Sequence, residues 1–285
     1  LPPYKTFCAR FEKPIVQDED ANAVRRLNQL TGPFILRRMK SEVLRELPPK
    51  TENLRRIELE TEQRKLYLAA VVDAREKLRA AKPEDKMTVF AVLMRLREIC
   101  CDPRLVADNW TGSSAKLEAC LELVTEAVAG GHRILLFSQF TSMLELLAKR
   151  LDEAGVSHFT LQGSTPKPVR AEQVRRFNQG EADVFLISLR AGGTGLNLTA
   201  ADIVIHYDPW WNLAAQNQAT DRAYRIGQRN PVQVYRLIAQ DTIEEKIVEL
   251  QQAKQSLADT VTGGADGAIL SMNPEQLLQL LGEEA

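Results

Sequence analysis

Cysteine, histidine and tryptophan are scarce in this 285-residue chain, which holds four, three and three of them. The cysteines, Cys8, Cys100, Cys101 and Cys120, include no C-x-x-C pair, and adjacent cysteines such as Cys100 and Cys101 rarely bridge. His132, His158 and His206 lie far from them along the chain. These spacings argue against a zinc site and a disulfide framework, so free buried thiols and no bound metal are expected. No apolar run reaches the ~18 residues that a membrane-spanning helix needs. The opening LPPYKTFCARFEKP lacks both a signal-peptide pattern and an initiator Met, and the expectation is of a fragment or excised domain. Three phosphate-chemistry signatures are missing as well: G-x-x-x-x-G-K-[ST], G-x-G-x-x-G and a DE-x-H box. There are no internal repeats.

Strong net charge is also lacking. The formal charge is −1, which excludes an overall basic field directed at a polyanion. The charge is nonetheless uneven. Val24 to Arg56 carries nine Lys/Arg against three Asp/Glu, a net of +6, whereas Asp241 to Ala285 carries two against nine, a net of −7. Any polyanion site is therefore local.

Periodicity organises the rest. A helix is expected from about Glu19 to Leu30, stopped by Gly32-Pro33, within an otherwise irregular segment reaching residue 60. In FILRRMKSEVLRELPPK, Ile35, Leu36, Met39, Val43, Leu44 and Leu47 recur at helical spacing before Pro48-Pro49. TEQRKLYLAAVVDAREKLRAA, capped by its Thr61, and KMTVFAVLMRLREICC read as packing helices without chemistry. From residue 113 helices alternate with short apolar runs: RILLF, SHFTLQG, DVFLIS, DIVIHY and VQVYRLI. Continuous apolar strands between helices predict an α/β fold, a parallel sheet covered on both faces. A long helix, TIEEKIVELQQAKQSLADTV, and a short one, PEQLLQLLG, follow.

Ligands on such sheets bind at the carboxyl ends of the strands. The residues just after the strands are Ser138-Gln139-Phe140, Gly163-Ser164-Thr165, Leu189 to Asn197, and Asp208 to Asn212. SLRAGGTGLNL reads either as an anion-binding loop or as a tight strand-to-helix turn. With Ser138, Gly163 and Ser164 on the same edge, it suggests a track for a nucleic-acid backbone, held through amides and hydroxyls that contact phosphates without reading bases. In QATDRAYRIGQR, Arg222 and Arg225 stand three apart on an expected helix, hence on one face, where two guanidiniums call for an anion. The alternative is a solvated helix with Asp221 as partner.

Four of these segments, SQFTSMLELL, LQGSTPKPVRAEQVRRFN, LISLRAGGTGLNLTAADIVIHYDPWW and QATDRAYRIGQRNPVQVYRLI, resemble in order motifs IV to VI of the SWI/SNF-type ATPases, the double-stranded DNA translocases of helicase superfamily 2. FILRRMKSEVLRELPPK resembles that family's linker and protrusion. The resemblance implies two RecA-like lobes with ATP between them. The Walker A lysine and the Asp-Glu box for Mg2+ belong to the first lobe, so this chain looks like the second. It implies residues 1–15 as the tail of the first lobe, 16–110 as a helical linker and protrusion subdomain, 111–240 as the RecA-like second lobe, and 241–285 as a C-terminal brace helix and tail.

By the same resemblance Arg222 and Arg225 match arginine fingers facing the γ-phosphate of ATP held with Mg2+ mainly by the first lobe. Gln218, Gly193, Gly195 and Asn197 match the ATP cleft. Ser138, Gln139, Gly163, Ser164, Arg190 and Thr194 match positions near a DNA backbone. Implied partners are double-stranded DNA and the N-terminal lobe, with no membrane; the implied location is the cytoplasm or nucleoid in a bacterium and the nucleus in a eukaryote. Leu213 and Tyr224 depart from the family's usual Pro and His. Two other readings remain open: a non-catalytic docking module on a helicase fold, and an RNA helicase, against which the Asp-Arg and RIGQ wording argues.

Overall fold

The computed structural model describes residues 4–16, 20–32, 47–189, 191, 195–258 and 272–282. The chain forms two compact units, Leu1–Glu46 with Leu257–Gly263, and Leu47–Ser256 with Gly264–Ala285. In the first, helical turns Tyr4–Phe7, Cys8–Glu12 and Lys13–Val16 precede helix α1, Ala21–Thr31, which ends one residue past the expected Leu30. Phe11, Ile15 and Ala23 form its small buried cluster. The basic helix expected in FILRRMKSEVLRELPPK falls almost wholly on residues 33–46, which lie outside the described residues.

The second unit is built on six parallel strands: β1 (Lys50–Ile57), β2 (Ile134–Ser138), β3 (His158–Leu161), β4 (Val184–Ser188), β5 (Ile203–His206) and β6 (Val232–Ala239), in the order β1-β6-β5-β2-β4-β3. The helices are α2 (Thr61–Ala80), α3 (Lys86–Cys101), α4 (Ala115–Ala129), α5 (Thr141–Glu153), α6 (Lys167–Asn178), α7 (Leu213–Thr220), α8 (Ile243–Ala258) and α9 (Pro274–Leu280). Thr61 is the first residue of α2 rather than its cap; Glu60 holds the cap position and makes no side-chain cap bond.

Alternation along each strand explains the continuous apolar runs. Ile134 and Leu136 of β2 face one way, into a core with Leu117 and Val124 of α4 and Met143, Leu144 and Leu147 of α5. Leu135 and Phe137 face the other, into a core with Phe177 of α6 and Ala219 of α7. Both faces are dry, so apolar side chains are required on both.

Strand β1 corrects the expectation of irregular chain up to residue 60. KTENLRRI is almost wholly exposed and shows no apolar alternation. Its stability comes from an unbroken ladder with β6, from Lys50 opposite Val232 to Ile57 opposite Ala239. An edge strand held by backbone pairing leaves a charged, solvated sequence signature. Residues 47–110 thus contribute both this strand and the α2–α3 hairpin. Tyr67, Val71 and Leu78 of α2, Val89, Leu93 and Leu96 of α3, Ile243 and Ile247 of α8 and Leu277 of α9 share one further core. The Tyr67 hydroxyl accepts from the backbone N–H of Ile243 at 2.7 Å, fixing the start of α8.

Candidate functional site

All six strands run the same way, so their carboxyl ends meet at one edge. A groove of about 550 Å³ opens there. Its lining includes Gln139 after β2, Gly163 and Ser164 after β3, Ser188 at the end of β4, and Trp210 and Trp211 after β5, with Phe90 and Met94 of α3 on another side.

The expected backbone-contact residues separate by burial. Gly163 and Ser164 are exposed and Gln139 is half-buried, so all three are reachable from the groove. Ser138 is fully buried, and its hydroxyl donates to Asp208 Oδ1 at 2.6 Å. It supports the loop from beneath, buried below Gln139 rather than open to the groove. Arg190, Gly193 and Thr194 lie outside the described residues.

The arginine pair departs from the helical expectation. Helix α7 begins with the Asn212 side chain accepting from the N–H of Ala215 at 3.0 Å, and it ends at Thr220. Residues 221–227 are turns, so the shared-face argument does not apply. Two bonding patterns end the helix. The Arg222 carbonyl accepts from Leu198 N at 3.0 Å, and the Gln228 amide donates to the carbonyls of Ala201 (2.7 Å) and Ala223 (3.1 Å). Gly227 adopts φ +102°, a conformation that a side chain strains. The same bonds join two separate sequence segments, tying the one that holds Gly195 (φ +52°) and Asn197 to the backbone of Arg222 through Leu198.

The two arginines are not equivalent. Arg225 is exposed. Arg222 is only 7% exposed, and its Nε has no hydrogen-bond partner among the described residues. Burial, then the neighbouring Arg225 charge, lowers the Arg222 pKa below the usual guanidinium value. Gln218 is exposed on the last turn of α7. Among the described residues, no cluster of three or more His, Cys, Asp or Glu side chains could hold a metal ion.

Sequence reasoning missed the buried network beneath the groove. Asp208 is fully buried and also lies 3.3 Å from the N–H of Gln139. Burial pushes its carboxyl up to about 6, against the opposing pull of Arg97 and Ser138. Arg97, in the middle of α3, is fully buried too, and burial lowers its pKa. One clue was available: an Asp directly after an apolar strand occupies the ligand edge by topology. Arg97 carried no such signal, because an Arg in a helix reads as solvated.

Comparisons with known proteins agree with this architecture. The model of the SNF2-related domain matches residues 2–105, and that of the helicase conserved C-terminal domain matches residues 115–227. The chain is 39% identical, over 96% of its length, to a putative ATP-dependent helicase/translocase of Bacillus subtilis, of which it covers 31%. It is 38% identical, over 97% of its length, to an uncharacterized ATP-dependent helicase of Mycoplasma pneumoniae, of which it covers 26%. The chain thus spans about a third or less of these curated relatives. The solved SWI2/SNF2 ATPase core of Sulfolobus solfataricus in complex with dsDNA aligns at TM-score 0.70 and 30% identity, over 99% of this chain and 61% of that one. The C-terminal domain of the same ATPase aligns at TM-score 0.68 and 27% identity, over 83% of this chain and 100% of that one.

Proposed function

The chain belongs to the SWI2/SNF2 family of ATP-dependent, helicase-like proteins, as the RecA-like C-terminal lobe with its preceding segment, and on that premise we propose that it is half of a motor that moves along double-stranded DNA. The observation that carries the reading is the presence of two distinct surfaces on one lobe. One is the groove at the strand ends, edged by Gln139, Gly163 and Ser164. The other is the turn that presents Arg225, tied by Leu198 to the segment containing Gly195 and Asn197.

The chemistry of the residues fits a nucleotide phosphate supplied from outside this chain. Arg225 is an exposed, permanently charged fork whose donors match phosphate oxygens. Arg222 is buried, and its Nε has no partner among the described residues. ATP with Mg2+, held mainly by an N-terminal lobe of the same protein, supplies the phosphoanhydride to be split. In this reading Gln218, Gly193, Gly195 and Asn197 line the cleft, and Arg222 and Arg225 stabilise charge on the transferred phosphoryl group, an effect of about 10³ to 10⁵ in rate. At the groove, Gln139, Gly163, Ser164, Arg190 and Thr194 hold a DNA backbone without reading bases. A lobe carrying arginines but no Walker lysine does not hydrolyse ATP alone. Closure of the two lobes and reopening after hydrolysis would then alternate the grip on the duplex.

The test is ATP turnover by the full-length protein, with and without duplex DNA and with duplex RNA, alongside the isolated chain. The reading predicts stimulation by duplex DNA, less by RNA, and none detectable from the isolated chain. Turnover indifferent to DNA would favour the alternative of a docking module on a helicase fold.

A further inference from the structure

We propose that Arg97 is a positioning residue that sets the geometry of the DNA-facing groove from behind, joining α3 to the loops after β2 and β5. The proposal rests on the reading of that groove as the DNA-facing surface.

Arg97 Nη1 donates to Gln139 Oε1 at 2.8 Å, gripping the loop after β2. Its Nη2 donates to the carbonyl of Pro209 in the loop after β5. The guanidinium carbon lies 4.1 Å from the centre of the Trp211 ring and 5.6 Å from that of Phe140. Gln139 and Trp211 both line the groove. Phe90 and Met94, which also line it, precede Arg97 by seven and three residues and so share its helix face. One side of α3 therefore forms a groove wall and anchors two others.

A purely stabilising ion pair would look different. The Arg97–Asp208 separation is 3.5 Å, longer than the contacts to Gln139 and Pro209. Both partners are fully buried, so desolvation offsets much of what the pair gains. Arg97 Nε and Gln139 Nε2 also lack hydrogen-bond partners among the described residues. Beside the longer contact to Asp208, the guanidinium makes its closer hydrogen bonds to two neutral acceptors and lies over the Trp211 and Phe140 rings, all of them in groove loops. A planar fork with stacking capacity makes those contacts together, and an ammonium does not.

The test is DNA-stimulated ATP turnover by the full-length protein at temperatures well below melting, comparing wild type, Arg97→Lys and Ser164→Glu. Ser164→Glu places a negative charge in the groove and probes the underlying reading. The proposal predicts that Ser164→Glu raises the KM for duplex DNA. It also predicts that Arg97→Lys raises the same KM about 10- to 100-fold, because loss of a hydrogen bond to a charged group has effects of that order, while kcat at saturating DNA stays within about threefold. If Ser164→Glu raises KM but Arg97→Lys only lowers the melting temperature, Arg97 is structural and the proposal is overturned while the groove reading stands. If Ser164→Glu leaves KM unchanged, the groove reading fails and takes the proposal with it. Should Arg97→Lys not fold, Arg97→Met/Asp208→Asn removes both charges and avoids leaving one buried alone. The same rise in KM is then expected, and an unchanged KM overturns the proposal.

Discussion

At the scale of single residues, burial decides what each titratable group does. His206 is buried at the end of β5, stacked on Phe137 at 5.6 Å, with Nε2 2.9 Å from Thr220 Oγ1. Burial, then the nearby charges of Arg236 and Lys50, lowers its pKa from 6.5 to about 3. A histidine with a depressed folded pKa binds its proton in the unfolded chain first. Its contribution to stability is therefore full above pH ~6.5 and is lost as pH falls toward 3, at up to about 1.4 kcal/mol per unit. Asp208 works the other way. Its raised value of about 6 means the folded state takes up the proton first, offsetting part of that loss between pH 6 and 4. The clean comparison is between wild type and His206→Gln by urea unfolding from pH 7 to 5. The variant should lose less stability over that range. Parallel pH dependence in the two proteins would mean that His206 is not buried neutral.

A second buried pair sets the junction of sheet and C-terminal helix. Lys116 and Glu244 are both fully buried and hydrogen-bonded, and Glu244 also accepts from the N–H of Ala239 at 2.8 Å. Removing one partner strands the other charge. Lys116→Met is expected to destabilise by about 3–5 kcal/mol, and Lys116→Met/Glu244→Met by clearly less than twice that. Equilibrium unfolding of these variants and of Glu244→Met checks this, and a double-variant loss equal to the sum of the two single losses would mean the pair is not coupled.

At the scale of elements, β1 offers a direct check on the sheet. Val232 N–H donates to Pro49 O and Gln240 N–H to Ile57 O, which puts the odd-numbered residues of β1 on the bonded side of a parallel ladder. Hydrogen exchange should find the amides of Asn53 and Arg55 protected and those of Glu52 and Leu54 fast, because the latter face away from β6. Uniformly fast exchange would remove β1 from the sheet. This is also where legibility ended. Strands β2, β4 and β5 were readable because burial on both faces demands runs such as ILLF and VFLI. The helices from α2 onward were readable from their periodicity, except α7, of which only the last turn fell inside the helix expected at QATDRAYRIGQR. KTENLRRI was not, since pairing at an edge leaves its side chains in water. The arginine turn was misread as helix because Ala219, Thr220 and Ala223 keep helical spacing, while the tertiary bonds of Leu198 and Gln228 that end the helix leave no local signal. The groove residues Gln139, Gly163 and Ser164 were legible from topology alone; Arg97 beneath them was not.

At the scale of the whole molecule, the net charge of −1 leaves any grip on DNA to local contacts. The affinity for duplex should therefore fall steeply with salt and vary little with sequence, with log K linear in log salt at a slope near −0.9 per phosphate neutralised. An affinity insensitive to salt, or one that discriminates strongly between unrelated duplexes, would contradict a backbone-tracking surface.

The central claim is that this lobe completes another lobe's ATP site through its arginine turn. The most direct measurement is ATP turnover by the full-length protein carrying Arg225→Ala, at saturating duplex DNA, with DNA affinity measured alongside. The account predicts turnover lower by about 10³-fold or more with DNA affinity within about threefold of wild type. Turnover that survives the substitution, or that falls only in step with lost DNA binding, would contradict it.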